Sequence, residues 1–182
     1  MGKAVVFCGS PRKKGITRAL VNSVTEGIRS RGWETVFYDL NMEGIRGCQH
    51  CGYCRNHTGC ALRDPLAGMY QDIAEADAIV FGTPIYFYSL AGQSKLWLDR
   101  LYPMFDTPSY QSRYPGKRSV TVFVQGYQDP TLYQSVFHSI NDLFNRWGWH
   151  VTDSILSAGQ AEAAPDLLDR AYSAGVRSTD PL

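Results

Sequence analysis

Ala4-Val5-Val6-Phe7-Cys8-Gly9-Ser10-Pro11-Arg12-Lys13-Lys14-Gly15-Ile16-Thr17 is the stretch that decides the fold. Residues 4–8 form a continuous apolar run, as expected of a strand buried on both faces. A loop of small, hydroxyl and cationic residues follows. From Thr17 the apolar residues Leu20, Val21, Val24 and Ile28 recur at helix spacing, and Gly32 ends the pattern after residue 31. Strand, polar loop and helix make the first half of a parallel crossover unit.

The same alternation continues along the chain. Strands are predicted at 35–38, 78–81, 119–124 and 150–155. Helices are predicted at 66–76, 92–102, 132–147 and 165–176, the last opened by Pro165 in its first turn. Leu96 and Trp97 are expected inward on one helix, and Val136, Ile140, Leu143 and Phe144 on another. Residues 107–116 form a loop rich in Pro, Ser, Tyr and Gly. Five strands, each leading into a helix, imply an α/β doubly wound parallel sheet with helices on both faces, in a single domain spanning 1–182. Ligands of such sheets lie beyond the carboxyl ends of the strands, where the strand order reverses, so functional residues are sought just after strands.

The 182 residues are 44% hydrophobic and 19% charged, which suits one globular core. A formal net charge of +1 provides no field to steer nucleic acid or an anionic membrane. No stretch is long and apolar enough to cross a bilayer. Residues 4–8 are too short for a signal-peptide core, and Val6 sits where a myristoylation signal wants Ser or Thr. A cytoplasmic protein is expected, with no nucleic-acid or membrane partner.

The loop after the first strand has the composition of an anion site. Helix N-terminal N–H groups and the positive end of the helix dipole meet there, with the hydroxyls of Ser10 and Thr17 and the charge of Arg12. It lacks the Gly-Lys-Ser/Thr ending of a P-loop and the G-x-G-x-x-G of a dinucleotide site, which favours a mononucleotide with one terminal phosphate. The plainer alternative is a polar turn with Thr17 as N-cap. Gly-Ser-Pro-Arg-x-x-Gly-x-Thr resembles the FMN-phosphate loop of the NADPH-dependent FMN reductase group within the flavodoxin-like superfamily. On that resemblance Ser10, Arg12, Gly15, Ile16 and Thr17 hold the FMN phosphate. The residue before this Thr is often Asn in the family; Ile16 can offer only its backbone N–H.

The resemblance runs over nearly the whole chain and implies a flavodoxin-like five-stranded sheet of order 2-1-3-4-5. Gly82-Thr83-Pro84-Ile85-Tyr86-Phe87-Tyr88-Ser89-Leu90 is similar to the family's Ser/Thr-Pro-x-Tyr loop. A flat, apolar flavin ring needs an aromatic wall and backbone donors, which assigns Pro84, Ile85, Tyr86 and Phe87 to the cofactor and Tyr88 to an interface. Lys95 and Asp99, four apart on a helix, read as a surface ion pair. After the fourth strand, Gly126 permits close approach to the far edge of the flavin and Tyr127 can cover the ring. Trp147 and Trp149 are expected to be buried.

Cys48-x2-Cys51-x2-Cys54-x5-Cys60 places four of the five cysteines within thirteen positions. Three readings stay open. The spacing resembles that of the iron–sulfur flavoproteins, a branch of the same family, and so implies a [4Fe–4S] cluster on these four residues. Structural zinc fits a compact run poorly, although His50 and His57 lie inside it. Free thiols beside a flavin are the third, since flavin-only relatives carry similar cysteines. Cys8 reads as core.

The resemblance then implies an FMN-dependent oxidoreductase passing electrons from NAD(P)H to a small-molecule acceptor such as a quinone, with no protein acid or base required. The alternatives are an iron–sulfur flavoprotein electron carrier fed by ferredoxin, and a non-redox protein that has kept the fold. The aromatics Tyr86 to Tyr88 and the tyrosine-rich loop 102–114 offer more apolar surface than one small domain covers. A homodimer or homotetramer is expected.

Overall fold

The computed structural model describes residues 1–106, 109 and 111–181. Thr107, Pro108 and Tyr110, part of the predicted Pro/Tyr-rich loop, lie outside the described residues. Strand β1 (Lys3–Cys8) pairs in parallel with β2 (Glu34–Asp39) on one side and with β3 (Ala78–Tyr86) on the other. Strand β5 (Lys117–Gln125) follows β3, and β6 (Trp149–Ala158) closes the sheet, so the parallel order is β2-β1-β3-β5-β6. With the two-residue strand β4 (Ser89–Leu90) set aside, this is the expected 2-1-3-4-5 arrangement. Strand β4 pairs antiparallel with the end of β3 and was not foreseen.

Alternation along β1 explains both layers. Ala4, Val6 and Cys8 face helices α1 (Ile16–Ser30) and α5 (Pro165–Arg177), joining Leu20, Val21, Val24 and Ile28 in one core. Val5 and Phe7 face α2 (Met69–Glu75), α3 (Gly92–Asp99) and α4 (Gln134–Arg146), where Trp97, Phe123, Phe144 and Trp149 fill a second, aromatic core. The stripe read on α1 is fully buried, as are Cys8, Trp97 and Trp149. Leu96, expected inward, is 36% exposed. Helix α4 buries Phe137 together with Ile140 and Phe144, while Val136 and Leu143 stay half-buried. No helix among the described residues is long and apolar enough to cross a membrane.

Within the first layer, α1 packs closely against α5. A Cβ on Gly27 would lie 2.1 Å from the Tyr172 carbonyl oxygen, and one on Gly175 would lie 2.0 Å from that of Val24. Both obstacles are backbone, so neither can rotate away. Gly175→Ala should therefore destabilise the fold by about 1–3 kcal/mol despite alanine's better helix propensity. Urea denaturation checks this; unchanged or raised stability would show that the helices separate freely.

Candidate functional site

The loops after β1, β5 and β6 and the ends of β3 and β5 surround a cavity of about 750 Å³ at the carboxyl edge of the sheet. The β1–α1 loop contributes Ser10, Arg12, Gly15, Ile16 and Thr17, β3 contributes Pro84, Ile85 and Tyr86, and Gly126 follows β5. These predicted residues come together. Phe87 and Tyr127 do not: Phe87 is fully exposed, and Tyr127 lies on a separate shallow surface with Gln128 and Asp129. Strand β3 continues to Tyr86 instead of stopping at Phe81, and Phe87 and Tyr88 become the two turn residues of a β3–β4 hairpin with φ of 49° and 62°. A two-residue turn with both central φ positive projects its side chains away from the sheet. Tyr88 stays exposed and meets Tyr133 edge-on at 5.1 Å.

The β1–α1 loop leaves donors free. Gly15, not Thr17, is the N-cap of α1, and no side chain caps the helix. First-turn N–H groups have no intrahelical acceptor, so those of Ile16 and Thr17 are available to an anion. The Gly15 N–H is spent on the Arg12 carbonyl at 3.2 Å. The Ser10 hydroxyl oxygen accepts from the Arg12 N–H at 3.2 Å and fixes the loop. Thr17 and Ser10 are buried, while Arg12 and Lys14 are exposed cations at the rim.

Sequence reading missed the other lining groups. Gln125, at the end of β5, is buried; its Nε2 donates to the carbonyls of Tyr127 at 2.9 Å and Asp129 at 2.7 Å, and its Oε1 has no partner. An unpartnered buried acceptor costs free energy unless a ligand N–H meets it. Gln160, Ala161, Glu162 and Ala163 close the cavity from the loop after β6. The rule that ligands lie after strands applied there too, but small residues carried no motif. The uncapped helix, the cations and the acceptor fit a flat mononucleotide such as FMN, and the volume lies in the range of small-molecule sites.

A second cavity, of about 360 Å³, is lined by Cys48, Cys51, Cys54 and Cys60, with Arg55, Arg100, Tyr102 and Pro103. Cys48 and Cys51 are exposed, and Cys54 and Cys60 are half-buried. Burial pushes the Cys54 thiol up, and the neighbouring Cys60, Cys48 and Cys51 add to it. Among the described residues, no three His, Cys, Asp or Glu side chains are drawn together as a formed metal-binding group. His57 is engaged elsewhere, with Nδ1 2.9 Å from the Tyr53 carbonyl and its ring stacked on Tyr53. Four sulfur donors around one cavity fit an iron–sulfur cluster in kind.

Lys95 and Asp99 form the expected exposed pair at 2.6 Å. Arg100 completes with them a run similar to the family's Lys…Asp-Arg, and the sequence assigns it no role. It is 1% exposed and pairs with buried Asp64, Nη1 to Oδ2 at 2.6 Å and Nη2 to Oδ1 at 3.2 Å. No local pattern could reveal a partner 36 residues away.

Residues 3–162 match the sequence profile of the family described as NADPH-dependent FMN reductase. An iron-sulfur flavoprotein of Archaeoglobus fulgidus is 27% identical over 146 residues, covering 80% of this chain and 64% of that protein. An iron-sulfur flavoprotein of Methanocaldococcus jannaschii is 30% identical over 132 residues, covering 72% of this chain and 68% of that protein. The chain spans about half to two thirds of the length of the first curated relatives it matches. The fold is shared with an NAD(P)H:quinone oxidoreductase from Methanothermobacter marburgensis, at TM-score 0.73 and 18% identity over 99% of this chain and 97% of that one.

The Asp64–Arg100 pair makes stability depend on acid. Burial pushes the Asp64 carboxyl up, but hydrogen bonds from Arg100 and the Arg46 N–H outweigh it and leave it below its ordinary value. A lowered folded value means that the pair's stabilisation is complete above the ordinary carboxylate pKa and is lost as pH falls through the folded one. Asp64→Asn should be less stable than the parent at about pH 7, and the gap should close toward about pH 3. Urea midpoints across that range test this; a gap independent of pH would detach the stabilisation from Asp64 ionisation.

Proposed function

We propose that this chain, a member of the NADPH-dependent FMN reductase family, is an oxidoreductase that carries electrons from NAD(P)H through FMN at the carboxyl edge of the sheet to a small-molecule acceptor such as a quinone. The observation that carries this reading is the first cavity itself. It joins an uncapped helix N-terminus to an apolar wall and an unpartnered buried acceptor.

The residues divide the work by chemistry. The N–H groups of Ile16 and Thr17 and the hydroxyls of Ser10 and Thr17 hold the phosphate, with Arg12 and Lys14 balancing its charge. Pro84, Ile85 and Tyr86 flank the ring and exclude water, and Gln125 Oε1 accepts from a ring N–H. Gly126, with open space around it, lets backbone approach the ring edge. When bound, FMN supplies hydride acceptance and stepwise electron release, so the protein needs to orient and shield rather than donate a proton. Phe87 and Tyr88, exposed on their hairpin, suit contact with a second copy in a cytoplasmic homodimer or homotetramer.

A second reading is favoured by the convergence of Cys48, Cys51, Cys54 and Cys60 on one cavity. These residues hold a [4Fe–4S] cluster, which supplies single-electron transfer, and ferredoxin feeds it in place of NAD(P)H. Anaerobic mixing with NADPH separates the two: bleaching of the flavin supports the first reading. Failure to bleach, with about four irons per chain, supports the second.

Replacing Ser10 and Thr17 together by leucine removes two hydrogen bonds to a charged group, worth about 3 kcal/mol or more together. FMN affinity should fall about a hundredfold while the protein still melts cooperatively. Unchanged flavin occupancy in a folded double variant would put the phosphate elsewhere.

A further inference from the structure

The cysteine run lies on a long excursion between β2 and α2, and its base is stapled. The Arg46 N–H donates to Asp64 Oδ2 at 3.1 Å across 18 positions, and the Arg46 carbonyl accepts from Arg100 Nη1 at 2.8 Å. One residue at the entrance is thus held through both its N–H and its carbonyl. At the exit, the Asp64 carboxylate accepts from both Arg100 Nη atoms and, at 3.1 Å, from the Leu66 N–H. Arg100 Nε donates to Tyr70 Oη at 3.2 Å, and Tyr70 Oη donates to the Arg100 carbonyl at 3.0 Å. The planar fork therefore reaches the entrance, the exit and α2 at once. The loop neck also lies hard against α3, since a Cβ on Gly47 would be 2.8 Å from Leu96 Cδ2.

Helix α3 connects this staple to the other cavity. Just before its first turn, the Ala91 N–H donates to the carbonyl of Pro84, a wall residue, at 3.1 Å; within it, Ser94 Oγ donates to Thr83 Oγ1 at 2.8 Å. Its eight residues span about 12 Å and end beside Arg100.

We propose that Arg100 is the positioning residue of the cysteine site: it ties both ends of the 46–64 loop to the end of α3, so that the four thiols surround one cavity a single rigid helix from the flavin cavity. The proposal rests on the second reading above for what the thiols hold, but not for how they are held. A bare ion pair would need only Asp64; the bond to the Arg46 carbonyl gives the guanidinium its second task. Closing the loop at its base removes most of the conformations in which thiols at 48, 51, 54 and 60 point apart. Lysine, a single point donor, cannot hold Asp64 in a fork and reach Arg46 as well.

The test uses the full chain purified without air, as the parent, Arg100→Lys, and the double variant Arg100→Met with Asp64→Leu, which leaves no unpaired buried charge. Hydrogen exchange is followed over residues 46–64, flavin occupancy is recorded, and the protein is reconstituted with ferrous iron and sulfide while the visible spectrum is read. Both variants should melt cooperatively with parental flavin content. Exchange over the loop should rise about tenfold, and iron affinity should fall about tenfold or more, the usual loss when a supporting contact to metal ligands is removed. Parental exchange and iron affinity in the folded double variant would overturn the proposal and leave Arg100 a core ion pair. Full recovery of both by Arg100→Lys would overturn the fork. If the parent binds no iron, the cluster reading fails alone, and exchange together with thiol-labelling rates decides on Arg100: faster in the variants supports it, unchanged refutes it.

Discussion

The position of β1, paired in parallel with β2 on one side and β3 on the other, is the constraint on which the rest depends. Helix α1, which follows β1, covers one face of the sheet, whereas α2 and α3 cover the other. The chain therefore leaves the ends of β1 and β3 in opposite directions, and nothing from either connection fills the space between them. That space is the first cavity. Pairing registers set the strand part of its wall, with Pro84 opposite Val124, and the loops after β1, β5 and β6 supply the rest. Gly82 is needed because a Cβ there would lie 2.2 Å from Val21 Cγ2, pushing α1 off the sheet exactly where its N-terminus must face the cavity.

Several groups at this edge are poorly satisfied by the protein alone. Helix α1 begins without a side-chain cap although Ser10 and Thr17 are both near; the Ser10 oxygen accepts from the Arg12 N–H, and its hydroxyl proton has only a long contact, 3.4 Å, to the Arg12 carbonyl. Capping by Ser or Thr would contribute about 1 kcal/mol. Gln125 Oε1 forgoes a bond of similar worth. Two non-glycine residues, Phe87 and Tyr88, hold positive φ side by side, each a conformation that costs free energy. Elsewhere along the sheet the hydroxyls of Ser119 and Thr121 find partners within the protein. An unpartnered acceptor, Gln125 Oε1, beside the free N–H groups of a helix N-terminus fits a binding site.

What the sequence makes legible follows from range. The apolar run of β1, the stripe of α1 and the loop between them are local patterns, and they locate the first strand, its helix and the loop that lines the first cavity; the strand order comes from the family resemblance. Phe87 falls outside the first cavity because β3, expected to end at Phe81, continues to Tyr86 and places Phe87 in an exposed hairpin turn. The closing loop 160–163, Gln-Ala-Glu-Ala, carries no motif and follows Gly159, whose φ is +67°. Arg100 stands in an unremarkable Asp-Arg pair, and its partners at Arg46, Asp64 and Tyr70 are set by folding. The thiols could be grouped by spacing, but not the staple that groups them in space.

Stability alone is a weak reason for that staple. A buried ion pair pays desolvation for both charges, and well-packed apolar residues of similar volume often do as well or better. What apolar residues cannot supply is direction. Asp64 and Arg100 offer donors and acceptors in fixed geometry to the backbone of Arg46, the Leu66 N–H and the Tyr70 hydroxyl. A loop of small, polar and sulfur-bearing residues has too little apolar surface to choose one conformation by packing. Its register must come from hydrogen bonds at the neck, and a bidentate charge pair is the side-chain chemistry that fixes distance and orientation together. The same pair joins the loop to the helix that starts at the first cavity's wall, so the chain that positions one site positions the other.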